Sequence, residues 1–130
     1  MQFSSRQLAD VVVAVPAGRI DQAAAADFER ALLPLLEQCC ADQDAMVLDF
    51  TDVEYISSVG LRVLMIAAKK SRAAGTRIGI AGLQPLMAEI FAISRFDKVL
   101  EVFPAVRDAL AQLSPKALAA VESHPDAPDR

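Results

Sequence analysis

The sequence has little of what enzymes, secreted domains and membrane proteins are built on. It holds one histidine and two cysteines in 130 residues. His124 stands alone in a proline-rich C-terminal stretch, so it cannot complete a Ser/His/Asp triad or a histidine metal site. Cys39 and Cys40 are adjacent, which excludes a loop-closing disulfide framework, and CxxC spacing is absent. They read as small, reduced, partly buried residues of an intracellular protein. No uncharged apolar run approaches the roughly 20 residues that span a bilayer. Arg6 and Asp10 interrupt the first apolar stretch, which argues against a signal peptide. There is no Walker-type phosphate loop and no G-x-S-x-G elbow. The expectation is a soluble, cytoplasmic protein that is not an enzyme, with no catalytic residues, no metal, no cofactor and no direct membrane insertion.

What is present describes one compact domain. Hydrophobic residues make up 54% of the chain and charged residues 23%, a balance that folds around a core. The formal net charge of −4 argues against nucleic acid as a partner, because phosphate binding needs a positive face.

The chain alternates strand and helix patterns. FSSRQL (3–8) and the valine-rich VVVAVPAG (11–18) flank a two-residue Ala9-Asp10 connection and read as an antiparallel hairpin. Pro16 removes a backbone donor and implies an edge or a bulge. Asp21 reads as the N-cap of a helix over about 22–40, with Phe28, Leu32, Leu35 and Leu36 at helical spacing and Pro34 as a kink or break. AMVLDF (45–50) is a buried parallel strand, followed by a loop, TDVEYISS. A helix follows over 59–74, closed by Gly75, then a strand over 77–82. Proline opens each of two further helices, over 85–94 and 104–113, with a short strand in 98–103 between them. The order ββαβαβαβα implies an α/β fold with about four helices on a mixed, mostly parallel sheet of four or five strands, the first strand antiparallel at one side. Residues 1–113 form the domain. Residues 114–130 form a flexible C-terminal tail, in which SPKALAAVE can add a turn or two of helix.

The chemistry concentrates in YISSVGLRVL (55–64). It lies where a strand's carboxyl end meets a helix N-terminus, the usual place for sites in α/β sheets. Ser58 sits at or next to the cap of the helix that starts near Val59. There it reads either as a plain cap or as a hydroxyl whose phosphate would meet free amides and the helix dipole. Gly60 would let another molecule's backbone approach. Leu61, Leu64, Met65 and Ala68 can face the sheet, while Val59, Val63, Ile66 and Ala67 fall on other sides. A helix apolar nearly all round is covered by a neighbouring helix or offers a surface to a partner. Arg62, one turn after Ser58, can serve a phosphate, a partner's carboxylate or solvent. Asp49, Asp52 and Glu54 read as caps and loop bonds rather than a carboxylate cluster.

GRID (18–21), VLDF (47–50), YISSVGLRVL and the order of elements resemble the STAS domain, and within it the bacterial anti-sigma-factor antagonists, over roughly residues 3–113. The resemblance implies a STAS-like fold and a protein-interaction switch. In that family the unphosphorylated antagonist binds an anti-sigma factor that is also a serine kinase of the histidine-kinase-like ATPase type. Phosphorylation releases it, and a metal-dependent, PP2C-type serine phosphatase restores it. Aligned on Gly60 and Leu61, the acceptor falls on Ser58. Ser57 stands where the family usually has Asp, and Val59 where it has Ser or Thr, so Ser57 is the alternative acceptor. Asp21 matches the Asp of the family's G-x-[LI]-D stretch and implies a part in the partner surface. The expected partner-binding residues are thus Asp21, Ser57 and Ser58, with Gly60, Leu61, Arg62, Val63 and Ile66 of the helix. The same fold also serves relatives that are never phosphorylated, as subunits of transport systems or stress-signalling scaffolds, and this stands as the alternative function.

Overall fold

The computed structural model describes residues 1–42 and 45–122. His124 lies outside the described residues. The elements are β1 (Gln2–Leu8), β2 (Val11–Ile20), α1 (Ala25–Asp42), β3 (Ala45–Asp49), β4 (Val53–Ile56), α2 (Ser58–Ala74), β5 (Arg77–Ala81), α3 (Pro85–Ile93), β6 (Glu101–Phe103), α4 (Val106–Leu113) and α5 (Pro115–Glu122), with a 3₁₀ turn at Phe96–Lys98.

The sheet runs β1-β2-β3-β5-β6, with β4 paired to β2 off this path. Only β1–β2 is antiparallel; the pairs β2–β3, β2–β4, β3–β5 and β5–β6 are parallel. The mixed, mostly parallel sheet with an antiparallel first strand is as expected. The strand number differs: six strands form it, because residues read as loop include β4. Val53 and Ile56 of β4 are buried while Glu54 faces solvent.

Strand β2 explains both Pro16 and β4. It pairs with β3 through Val11–Ala14 and with β4 from Gly18 to Ile20, with a register shift between Gly18 and Arg19. Pro16 falls in the interval between the two parallel ladders. A residue without an N–H is tolerated where one neighbour has ended and the next has not begun.

Alternate side chains divide the core into two layers. Val12 and Ala14 of β2 and Met46 and Leu48 of β3 pack with α1, α2 and α3. Val11, Val13, Ala45 and Val47 pack on the other face with α4 and α5. Strands buried on both faces produce the continuous apolar runs seen in the sequence.

Helix α1 buries Phe28, Leu32, Leu36 and Cys39, one stripe at helical spacing. Pro34 neither splits nor ends it. Pro34 is exposed, as is Arg30, whose carbonyl would otherwise accept from residue 34, so water can replace the lost bond. The Cys39 thiol is buried and donates to the Ala45 carbonyl at 3.2 Å. Gly75 closes α2 in left-handed geometry, φ 75°, and Thr76 N–H returns to the Ser71 carbonyl at 2.9 Å. Helix α4 starts at Val106 rather than at Pro104, with Ala105 as its N-cap. Beyond it, α5 buries Ala117 and Val121 against the second layer, and Ser114 hydrogen-bonds Asp10 of the first hairpin. Among the described residues no helix is long and apolar enough to cross a membrane.

Candidate functional site at the start of helix α2

The site is built on two parallel strand ends. Ile20 at the end of β2 pairs with Ile56 at the end of β4. Ser57 extends this pairing: its N–H donates to the Ile20 carbonyl at 2.8 Å. Helix α2 therefore starts from a fixed point, with Asp21 leaving the neighbouring strand end.

Sequence spacing placed Ser58 at or next to the cap; the structure makes Ser57 the N-cap. Ser57 is 8% exposed, has extended backbone geometry, and its Oγ accepts from Gly60 N–H at 3.2 Å. Leu61 N–H returns to the Ser57 carbonyl at 2.9 Å. The amides of Ser58 and Val59 have no hydrogen-bond partner among the described residues, as expected for the first turn of a helix. Ser58 is the first helical residue and is exposed. The structure thus separates two adjacent hydroxyls, one buried and engaged, one presented to solvent.

Gly60 has a different reason from the one its sequence position suggested. It is buried, and a β-carbon there would lie 2.6 Å from Ile56 Cγ1 and 3.1 Å from Ile20 Cγ2. The close approach is within the chain: the first turn of α2 rests on the paired ends of β2 and β4.

The helix faces are also redistributed. Val63 and Ala67 join Leu64 and Ala68 in the buried stripe, while Leu61, Met65 and Ile66 are half-buried. Val63, at 4% exposure, is part of the core and not of an outer surface. The neighbour that covers it is α1.

Between the two helices runs a groove. Ala25, Ala26 and Glu29 of α1 form one wall, and Val59, Arg62 and Ile66 of α2 the other, above Val63. Arg62 is exposed, and Val59 is 41% exposed. Sequence reasoning missed the part that Val59, Ala26 and Glu29 play here. Nothing in a linear pattern tells which helix α2 will meet, although an apolar residue directly after an exposed serine was a signal for Val59.

Asp21 is exposed and caps the approach to α1: its Oδ1 accepts from Ala24 N–H at 2.9 Å and its carbonyl from Ala25 N–H at 3.0 Å. Asp49 is fully buried. Its Oδ1 accepts from the Thr51 amide at 3.0 Å and the Thr51 hydroxyl at 2.6 Å, which fixes the turn between β3 and β4. Its Oδ2 has no partner among the described residues. Among those residues no group of His, Cys, Asp and Glu is arranged to hold a metal.

Known proteins share this fold. The family model for the STAS domain matches residues 2–109. BtrV of Bordetella bronchiseptica, whose name assigns it to the anti-sigma factor antagonists, is 30% identical over 120 residues, spanning 91% of this chain and 98% of its own length. The crystal structure of an anti-sigma factor antagonist from Mycobacterium paratuberculosis superposes with a TM-score of 0.77 at 24% identity, over 86% of this chain and 92% of that one. The Bacillus cell fate determinant SpoIIAA in its phosphorylated form superposes with a TM-score of 0.65 at 15% identity, over 85% and 98%. With a family match across most of its length and a relative of this identity over nearly all of it, the chain is a STAS-domain protein of the anti-sigma-factor-antagonist family.

Proposed function

We propose that the protein is a phosphorylation-controlled interaction switch in the cytoplasm, not an enzyme. In its unphosphorylated form it binds an anti-sigma factor that is also an ATP-dependent serine kinase. The kinase transfers the γ-phosphoryl group of ATP to Ser58 Oγ: the bond from γ-phosphorus to the bridging oxygen of ADP breaks, an O–P bond forms, and the hydroxyl proton leaves to a kinase base. The modified chain then dissociates, and a PP2C-type phosphatase hydrolyses the ester to restore it.

One observation carries the choice of residue. Ser58 is exposed in the first turn of α2 while Ser57 is buried and holds the Gly60 amide. A phosphate on Ser57 would have to break the cap that starts the helix. On Ser58 it leaves every described hydrogen bond of the helix start in place and meets the unpartnered amides of the first turn, worth roughly 0.3–1 kcal/mol at an exposed terminus. The fold is kept and the surface changes, by about −1.5 to −2 in charge. A loss of about 4 kcal/mol at a contact that includes Val59, Leu61 and Ile66 weakens binding roughly a thousandfold, enough for release without refolding. The likeness to BtrV and to SpoIIAA in its phosphorylated form supports this reading.

The test is incubation with ATP and the candidate serine kinases, with the phosphate located by mass spectrometry. Label is expected on Ser58, lost in Ser58→Ala and kept in Ser57→Ala. Ser58→Asp should weaken kinase binding with its melting temperature nearly unchanged. Label on Ser57 alone would overturn the choice of Ser58, and absence of label on both serines with every candidate kinase would remove the switch; full affinity in Ser58→Asp would remove its proposed mechanism.

A further inference from the structure

The groove between α1 and α2 has an acidic wall and a basic wall. Glu29 stands on one and Arg62 on the other. Neither forms a salt bridge among the described residues, where the ion pairs are Arg30–Asp27, Lys70–Glu37 and Arg77–Glu101. Between them lie small or aliphatic side chains: Ala25, Ala26, Val59 and Ile66. Charge complementarity defines the occupant. Under the switch reading the matching occupant is a segment of the anti-sigma factor, which would lay an apolar side chain over Val59 and Ile66, a carboxylate toward Arg62 and a basic residue toward Glu29.

Arg62 also stands four residues after Ser58 on the same helix. Side chains at this spacing are neighbours on one face, and the pair is favoured when the anion is on the N-terminal side. A guanidinium binds phosphate through parallel N–H donors. We propose that Arg62 is the residue for which the partner and the phosphate compete, an inference that rests on the switch reading above. In the unmodified chain Arg62 faces the partner's carboxylate. Once Ser58 carries a phosphate, Arg62 turns back one helical turn to pair with it. The partner's carboxylate then loses its cation and faces a new anion, so one modification removes an attraction and adds a repulsion.

The test does not depend on a kinase. Phosphoserine is incorporated at position 58 during translation, and the second ionisation of the phosphate is followed by 31P NMR against pH. The Arg62 pair favours the dianion, so Arg62→Gln should raise this pKa by about 0.4, and Arg62→Lys by less. Equal titration curves for the wild-type and Arg62→Gln chains would overturn the proposal. Arg62 is exposed, so the variant is expected to fold, and circular dichroism checks this. With the kinase that labels Ser58, Arg62→Gln should weaken binding of the unmodified chain about fivefold and lessen the effect of phosphorylation by a similar factor. Unchanged affinity there would equally overturn the competition. A chain that no kinase binds, but whose phosphate titration responds to Arg62→Gln, would sink the switch reading and leave the Arg62–phosphate pair standing.

Discussion

Replacing Gly60 by alanine sets two effects against each other. Alanine is the better helix former by about 1 kcal/mol in a helix interior, so propensity alone predicts a more stable protein. Packing predicts the reverse. The new methyl would lie 2.6 Å from Ile56 Cγ1 and 3.1 Å from both Ile56 Cδ1 and Ile20 Cγ2, where carbon atoms normally rest about 3.5–4.0 Å apart. Ile56 is 2% and Ile20 0% exposed, and their backbones are paired to each other, so neither side chain has open space to enter. Overpacking of this kind costs about 1–3 kcal/mol. Part of the propensity gain is also missing, because Gly60 is only the third residue of α2. The expected net effect is a loss of about 1–2 kcal/mol, or a fall in melting temperature of about 4–7 °C for a chain of this size. Thermal and urea unfolding followed by circular dichroism measure it. Amide exchange at Ser57, which donates to Ile20, should quicken as the first turn is pushed away. A double-mutant cycle isolates the cause: an Ile56→Ala background removes the two Ile56 contacts and leaves space into which Ile20 can shift, and there Gly60→Ala should become neutral or stabilising. A higher melting temperature for Gly60→Ala alone would refute the claim that the start of α2 rests on the strand ends.

Two further substitutions test the local geometry. Ser57→Ala leaves the Gly60 amide without its acceptor and should cost about 1 kcal/mol in urea unfolding, largely recovered in Ser57→Asp; no loss would mean the cap contributes nothing. Gly82→Ala imposes a side chain at φ 75° and brings its β-carbon to 2.4 Å from Thr51 Oγ1; a loss of about 2 kcal/mol or more is expected in the same assay, and a loss under about 0.5 kcal/mol would show that the β3–β4 turn yields.

The sequence reads well where burial imposes a period. VVVAV and AMVLDF are apolar on both faces because α1–α3 cover one side of the sheet and α4–α5 the other. Gly75 marks the end of α2 because only a residue without a β-carbon sits easily at that φ. Strand β4 is hidden because it is only four residues long and Glu54 interrupts its apolar run. The cap was left open between two positions for a similar reason, and the structure puts Ser58 next to it rather than at it. Two adjacent serines have the same local chemistry, and the long-range bond from Ser57 to Ile20 decides between them. The role of Val63 depended on where α1 would pack, which no local pattern encodes. As for α5, Ala117 and Val121 had a surface to cover, the second layer of the core, visible only once the sheet is assembled.

The anchoring of Ser57 to the end of β2 constrains any enzyme that acts on the hydroxyl next to it. Many modifying enzymes draw their target into a groove as a stretched peptide. Ser58 cannot be drawn out this way, because its backbone is already wound into a helical turn that begins at a tethered residue. Under the proposed switch, a kinase acting on Ser58 would have to receive the folded body, reading relief and charge distributed over distant stretches of chain rather than a short run of letters. A synthetic fragment spanning 53–66 lacks that relief, so on this reading it should be a poor substrate, as should the unfolded chain.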